Sequence, residues 1–246
     1  MDTAVFCLHN RASASVAHTI TAQETVLNNM ENRAGARDSI DSLGTPCSLP
    51  LPGMHFTRCL NKADENTSIA GDAVTITSAA RRDYFNDPNG KLSNNTAPVL
   101  LAELDNTRPF TLSATVRPGF HASYDAGALY LFASEQLWQK FAFERDEHGV
   151  TRVVSVRTVD TSDDNNHQSV AAPEVHLKIS SDTRTVGLYF SSDNVHWSLA
   201  RLYGNQYPPR LYAGLSSQSP LGSGNASTFI NPVLSADCVK DFRLGV

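Results

Sequence analysis

Trp138, Lys140 and Glu144 in the stretch LWQKFAFE are of types that could do chemistry, and their spacing would bring them together. Strand side chains alternate with period two, so these residues would share one face with Ala142, while Gln139, Phe141 and Phe143 take the other. Phe141 and Phe143 are then expected in the core. An aromatic plate, a cation and a carboxylate in one row suit a pyranose, which has an apolar face and a rim of hydroxyls. Tyr124, Asp125 and Asp83 are expected at the edges of such a groove. Ordinary readings stand beside these. The row could be a wet outer face on which Lys140 and Glu144 pair. Asp125 could simply make the turn before Gly127, and Asp83 and Tyr84 could serve loop and core.

Glu144, Asp146 and His148 also fall at alternate positions, with the carboxyls about 6.5–7 Å apart along a strand. His148-Gly149 reads as the turn that ends it. DTSDDNNH, from Asp160 to His167, collects oxygen donors of the kind calcium takes, but without the spacing of a calcium loop, and is read as a solvated turn. Cys7, Cys47, Cys59 and Cys238 are widely spaced, with no CxxC pair and no histidine at ligand spacing. No metal and no cofactor is expected. No G-x-S-x-G elbow, phosphate loop or nucleotide-binding glycine pattern is present. The sequons at Asn66, Asn94 and Asn225 carry little weight in an Asn-rich chain.

The elements that must position these groups are strands. YDAGALYLFASEQLWQKFAFE, from Tyr124 to Glu144, reads as a central hairpin. HFTRCLN, AVTITSA, APVLLAELD, PFTLSATVRPG, TRVVSVRTV, EVHLKIS, TVGLYFSS, HWSLARLYG, RLYAGLSSQ and the terminal VKDFRLGV are further strand candidates, separated by polar turns. Asp-Pro-Asn-Gly at 87–90 is a strong turn signal, and Asp193-Asn194 is expected to make a tight two-residue hairpin with Trp197 packing across it. Such a series points to two packed antiparallel sheets. Residues 1–52 read differently: they are poor in aromatics, show at most a short helix within Thr21–Met30, and end in the breaker-rich TPCSLPLPG. They are expected to be a poorly ordered tail and linker, with Met30 or Met54 as alternative starts, ahead of one domain at 53–246. The stretch from Asn225 to Cys238 has no clear place.

The 246 residues suffice for one sandwich, and a net charge of −5 without a basic block argues against nucleic acid. No apolar run approaches the roughly 18 residues of a membrane span, and MDTAVFCLHN lacks the pattern of a signal peptide. A cytoplasmic protein with no membrane partner is expected.

RRDYF, YDAGALYLFASEQLWQKFAFE, SVRTVDTSDD, YFSSDNVHWSLARLYG and AGLSSQSPLGSG occur in the order seen in one family. Over residues 54–246 the chain resembles the domain-of-unknown-function family that includes the regulation-of-enolase proteins, within the concanavalin A-like lectin/glucanase superfamily. The resemblance implies a jelly-roll sandwich of two antiparallel sheets. Ala126 stands where that family usually has Gln, and Asp164 where it has an aromatic. Glucanases of the superfamily carry a Glu-x-Asp-x-Glu strand, and His148 stands where the second Glu would be. The expected function is non-catalytic binding of a carbohydrate or sugar-containing ligand by Trp138, Lys140, Glu144, Tyr124, Asp125 and Asp83. The alternatives are an interaction module regulating a metabolic enzyme such as enolase, and a glycoside hydrolase or lyase.

Overall fold

The computed structural model describes Ile40 and residues 42–246. Cys7 and the helix expected within Thr21–Met30 lie outside the described residues. Two large antiparallel sheets face each other, as the alternating pattern predicts. The larger runs β1 (Thr45–Leu51), β2 (Met54–Leu60), β7 (Val99–Asp105), β16 (Arg210–Gln218), β9 (Ala126–Ser134), β10 (Leu137–Arg145), β11 (Thr151–Val159) and β12 (Thr161–Ser169). The second runs β15 (Ser198–Gly204), β14 (Thr185–Ser191), β13 (Val175–Ser181), β8 (Phe110–Pro118), β17 (Gly224–Ser235), β4 (Ala73–Ala79) and β3 (Thr67–Ala70). β5 (Tyr84–Asn86) and β6 (Ser93–Asn95) form a separate small ribbon around the Asp87–Gly90 turn. Among the described residues no helix is long and apolar enough to cross a membrane.

Period two decides which face of each strand enters the core. Phe141, Phe143, Leu129, Leu131 and Leu215 of the larger sheet and Leu112, Val116, Leu177, Ile179, Leu188 and Phe229 of the second are all buried. The sheets approach closely at Gly127, where an added Cβ would lie 2.7 Å from Val116 and 2.9 Å from Ser227. Only a residue without a side chain fits there. The hairpin β9–β10 forms as expected and lies inside the larger sheet, flanked by β16 and β11.

Several expectations are corrected. Thr45–Leu51, read as tail, forms β1 and pairs with β2, so the sandwich starts before Pro52. DTSDDNNH, read as a solvated turn from Asp160 to His167, falls almost entirely within β12: its hydrophilic side chains belong to an edge strand, where charge discourages further pairing. Asp193-Asn194 is not a two-residue hairpin turn. Six residues separate β14 from β15, with Asn194 at φ 59 and the Asp193 carboxylate accepting from Val195 N and His196 N. Trp197 stacks under Lys178, whose Nζ is 3.6 Å from the ring centroid. The terminal VKDFRLGV is not a strand; it turns over the outer face of the second sheet, where Phe242 O accepts from the Tyr189 hydroxyl. Most of the stretch Asn225–Cys238, as far as Ser235, is placed by β17, whose register slips between Ile230 and Val233.

Candidate functional site

Residues paired across neighbouring strands share a face, so the register lays out the outer face of the larger sheet. Trp138 lies between Phe132 and Thr158, and Lys140 between Tyr130 and Val156, with Asp164 beyond Val156 on β12. Ala142 lies beside Ala128, and Glu144 beside Ala126, whose other neighbour is Gln218. The row expected from the sequence therefore exists, with Phe141 and Phe143 on the opposite, core side.

It is neither an open plate nor a wet surface. Trp138 is 0%, Lys140 2% and Glu144 8% exposed. The ribbon β5–β6 lies over this face as a strap. Tyr84 meets Tyr130, Phe132 and Trp138 edge-on, with ring centroids 6.3, 5.6 and 5.9 Å away, and its hydroxyl donates to Glu135. The expectation that Trp138 offers a wide exposed surface is thus corrected: Tyr84 covers it, because the aromatic cluster buries more apolar area closed than open.

Polar groups under the strap form a connected set. Lys140 Nζ donates to Asp83 Oδ1 at 3.2 Å, Tyr84 O at 3.0 Å and Gln218 Oε1 at 3.0 Å, which uses all three ammonium protons. Lys140 pairs with Asp83, not with Glu144. Gln218 Nε2 in turn donates to Glu144 Oε2 and to Tyr124 O, both at 3.2 Å. Gln218 thus bridges Lys140 and Glu144. The buried hydroxyl of Tyr130 lacks a partner among the described residues, and Glu144 accepts its one side-chain hydrogen bond through Oε2.

Burial pushes the Glu144 carboxyl up to about 8; Lys140 opposes the shift and Asp83 and Asp164 add to it. At neutral pH Glu144 is therefore mostly a protonated acid, able to donate from one oxygen. Asp164, on the exposed edge strand but on the same face, is also raised, first by loss of hydration and then by Asp83 and Asp163 against Lys140. Burial, helped by Glu147 and Glu144, raises the Tyr124 phenol, which places that half-buried ring among these carboxyls. Tyr124 adopts φ 67, a left-handed conformation that bulky residues rarely take and that clusters at functional sites.

The remaining carboxylates are committed elsewhere. Asp125 is fully buried and accepts from His121 N, Ala122 N and Ser219 Oγ, so it holds a turn and joins two segments. Asp146 lies past the end of β10 and accepts from His148 N, Val150 N and Arg152 Nε. Burial works against its charge, but these donors leave its carboxyl below the usual range. His148-Gly149 is a turn, with Gly149 at φ 78.

The structure therefore brings together Lys140, Glu144, Asp83 and Tyr124, keeps Trp138 beneath Tyr84, and leaves Asp125 and Asp146 in turns. Gln218, Tyr130 and Asp164 were not among the residues expected to bind. A signal for Gln218 existed: in RLYAGLSSQ, Tyr212, Gly214, Ser216 and Gln218 alternate onto the outer face, and an uncharged amide at the end of an otherwise buried strand needs a partner. Among the described residues no cluster of His, Cys, Asp and Glu could hold a metal ion.

Comparison with known proteins gives the same architecture. A functionally unknown protein from Saccharomyces cerevisiae superimposes with a TM-score of 0.67 at 21% identity, covering 74% of this chain and 96% of that one. The GH43 protein BlXynB from Bacillus licheniformis follows with a TM-score of 0.58 at 13% identity, covering 77% of this chain and 38% of that one. Xylan beta-1,4-xylosidase from Bacillus halodurans gives 0.55 at 10% identity, covering 75% and 37%. The chain thus spans well under half the length of these two enzymes, and at such identities the likeness is one of fold. No curated protein matches. The model of one family, "Protein of unknown function (DUF1349)", matches residues 60–235, a span that contains the strap and every residue of the row; the chain belongs to that family.

Proposed function

We propose that the chain binds a neutral carbohydrate without cleaving it, at the end of the strap-covered face where Glu144, Gln218 and Tyr124 meet. The observation that carries this reading is the buried, mostly protonated Glu144, tied through Oε2 to Gln218, beside a half-buried tyrosine in a strained conformation. A sugar offers what those groups lack. Its hydroxyls can accept from the Glu144 acid and donate to Asp164, and the Tyr124 ring can lie against its apolar face. Two of the proteins with similar folds have names that refer to GH43 and to xylan, which makes xylo-oligosaccharides the first probes.

The commitments of Asp83, Asp125 and Asp146 support the non-catalytic part. Paired-carboxylate chemistry needs a second uncommitted group beside Glu144, and on this face that leaves Asp164, on an exposed edge strand.

Calorimetric titration with xylo-oligosaccharides tests the reading. Tyr124→Ala is expected to weaken binding about tenfold or more, the loss of one good aromatic contact, while the variant stays folded. Unchanged affinity would remove this site, and release of reducing ends by the parent protein would overturn the non-catalytic part.

A further inference from the structure

At the two ends of the strap, where Arg82 enters it and Thr96 leaves it, lies a half-open cleft of about 390 Å³. Its polar lining comes from four separate stretches: Asn61, Lys62 and Asn66 after β2, Thr77 of β4, Arg82 entering the strap and Thr96 leaving it. No aspartate or glutamate lines it, although acidic residues outnumber Lys and Arg by 25 to 20 in the chain. Two cations thus line it, of which Lys62 is paired with Glu65 from outside the lining.

The donors in the cleft fall into two groups. Asn61 Nδ2 is spent on Asn95 O and Ala97 O, Asn66 Nδ2 on Lys62 O, and the Thr96 hydroxyl on Asn94. These bonds build the wall, and they hold Asn61 and Lys62 at φ 53 and 58, two consecutive left-handed residues that are not glycine. The Arg82 guanidinium and the Thr77 hydroxyl have no partner among the described residues, and Lys62 reaches Glu65 only at 3.5 Å in an exposed pair. An exposed pair of that kind yields readily to a better partner.

We infer that this cleft is a binding site for a compact oxyanion, the phosphate group of a small molecule, held by Arg82, Lys62 and Thr77. A tetrahedral oxyanion accepts from a guanidinium fork, an ammonium and a hydroxyl at once, and Arg is suited to this geometry. The inference is independent of the carbohydrate reading.

Titration of the full chain with inorganic phosphate, glucose 6-phosphate or sodium chloride at matched ionic strength, followed by NMR, tests it. Saturable shifts of the Asn61, Lys62 and Thr77 amides and of Arg82 Nε–H are expected with phosphate and not with chloride. Saturation by inorganic phosphate alone would assign the site to free phosphate, and saturation by both to a phosphorylated small molecule. Arg82→Ala should weaken phosphate binding about tenfold or more, and the charge-neutral Thr77→Val severalfold. Arg108→Ala, on a distant exposed residue paired with Asp105, should leave it unchanged. Arg82→Gln serves should Arg82→Ala not fold. Shifts that are linear, equal with chloride, or as large in the Arg82 and Thr77 variants as in the parent would overturn the inference.

Discussion

Replacing Glu144 by Gln should change how stability depends on pH. In the folded protein the Glu144 carboxyl titrates at about 8, against an ordinary value of 4.5, chiefly because it is buried. The folded state therefore keeps a proton that the unfolded chain releases above pH 4.5. Stability falls wherever the folded state binds more protons, so the Glu144 contribution declines as pH rises from about 4.5 to about 8 and levels off beyond. At about 1.4 kcal/mol per pH unit the full loss is roughly 3–5 kcal/mol, less whatever water reaching the ionised carboxylate restores. Glu144→Gln keeps the shape and a partner for Gln218 but cannot ionise. Urea unfolding of parent and variant from pH 4.5 to 9 gives the difference, because His167, which also titrates abnormally, is common to both. The variant should gain on the parent steadily up to pH 8. Parallel curves across that window would mean that Glu144 ionises as an ordinary exposed carboxyl, and both the burial argument and its role as donor would fail.

Three further outcomes follow from the same contacts. Lys140→Met removes the cation that satisfies Asp83, Tyr84 O and Gln218, and breaking a buried pair from one side should cost about 3–5 kcal/mol; adding Asp83→Leu should recover part of this in a double-mutant cycle, and a cost below about 1 kcal/mol would show the pair to be solvated. Phe141→Ala or Phe143→Ala should destabilise by roughly 3–5 kcal/mol in denaturant unfolding, since both are fully buried, and a near-neutral result would contradict the register of β10. A chain beginning at Pro52 loses β1 and leaves β2 as an unpaired edge; its thermal midpoint should fall by roughly 4–10 °C, the equivalent of about 2 kcal/mol or slightly more, and its tendency to self-associate in size-exclusion chromatography should rise. An unchanged midpoint would mean that β1 adds nothing.

The alternation of LWQKFAFE placed Phe141 and Phe143 in the core and Trp138, Lys140 and Glu144 together, because period two is a property of the strand backbone and needs no knowledge of its neighbours. The same reasoning misjudged DTSDDNNH. Its hydrophilic composition resembles a turn, yet backbone hydrogen bonds to β11 make it a strand, and an edge strand has no need of apolar residues. TPCSLPL was read as linker for a similar reason. Two prolines and no buried residue suit an edge as well as a tail, and only the pairing with β2 distinguishes them.

What the sequence determines alone is local: which stretches are strands, which of their side chains share a face, and where turns such as Asp87–Gly90 and His148-Gly149 interrupt them. From these follow the two sheets and the composition of the core. What only the tertiary structure decides is which residues cover the other face. Tyr84 is 54 residues from Trp138 and Gln218 is 78 from Lys140, and no periodicity within one strand encodes contacts across such separations. The chemistry of the row depends on them. In the folded chain Lys140 is bound to three acceptors drawn from Asp83, Tyr84 and Gln218, and Glu144, buried beside Gln218, holds its proton, because the burial that raises its carboxyl comes from distant parts of the chain.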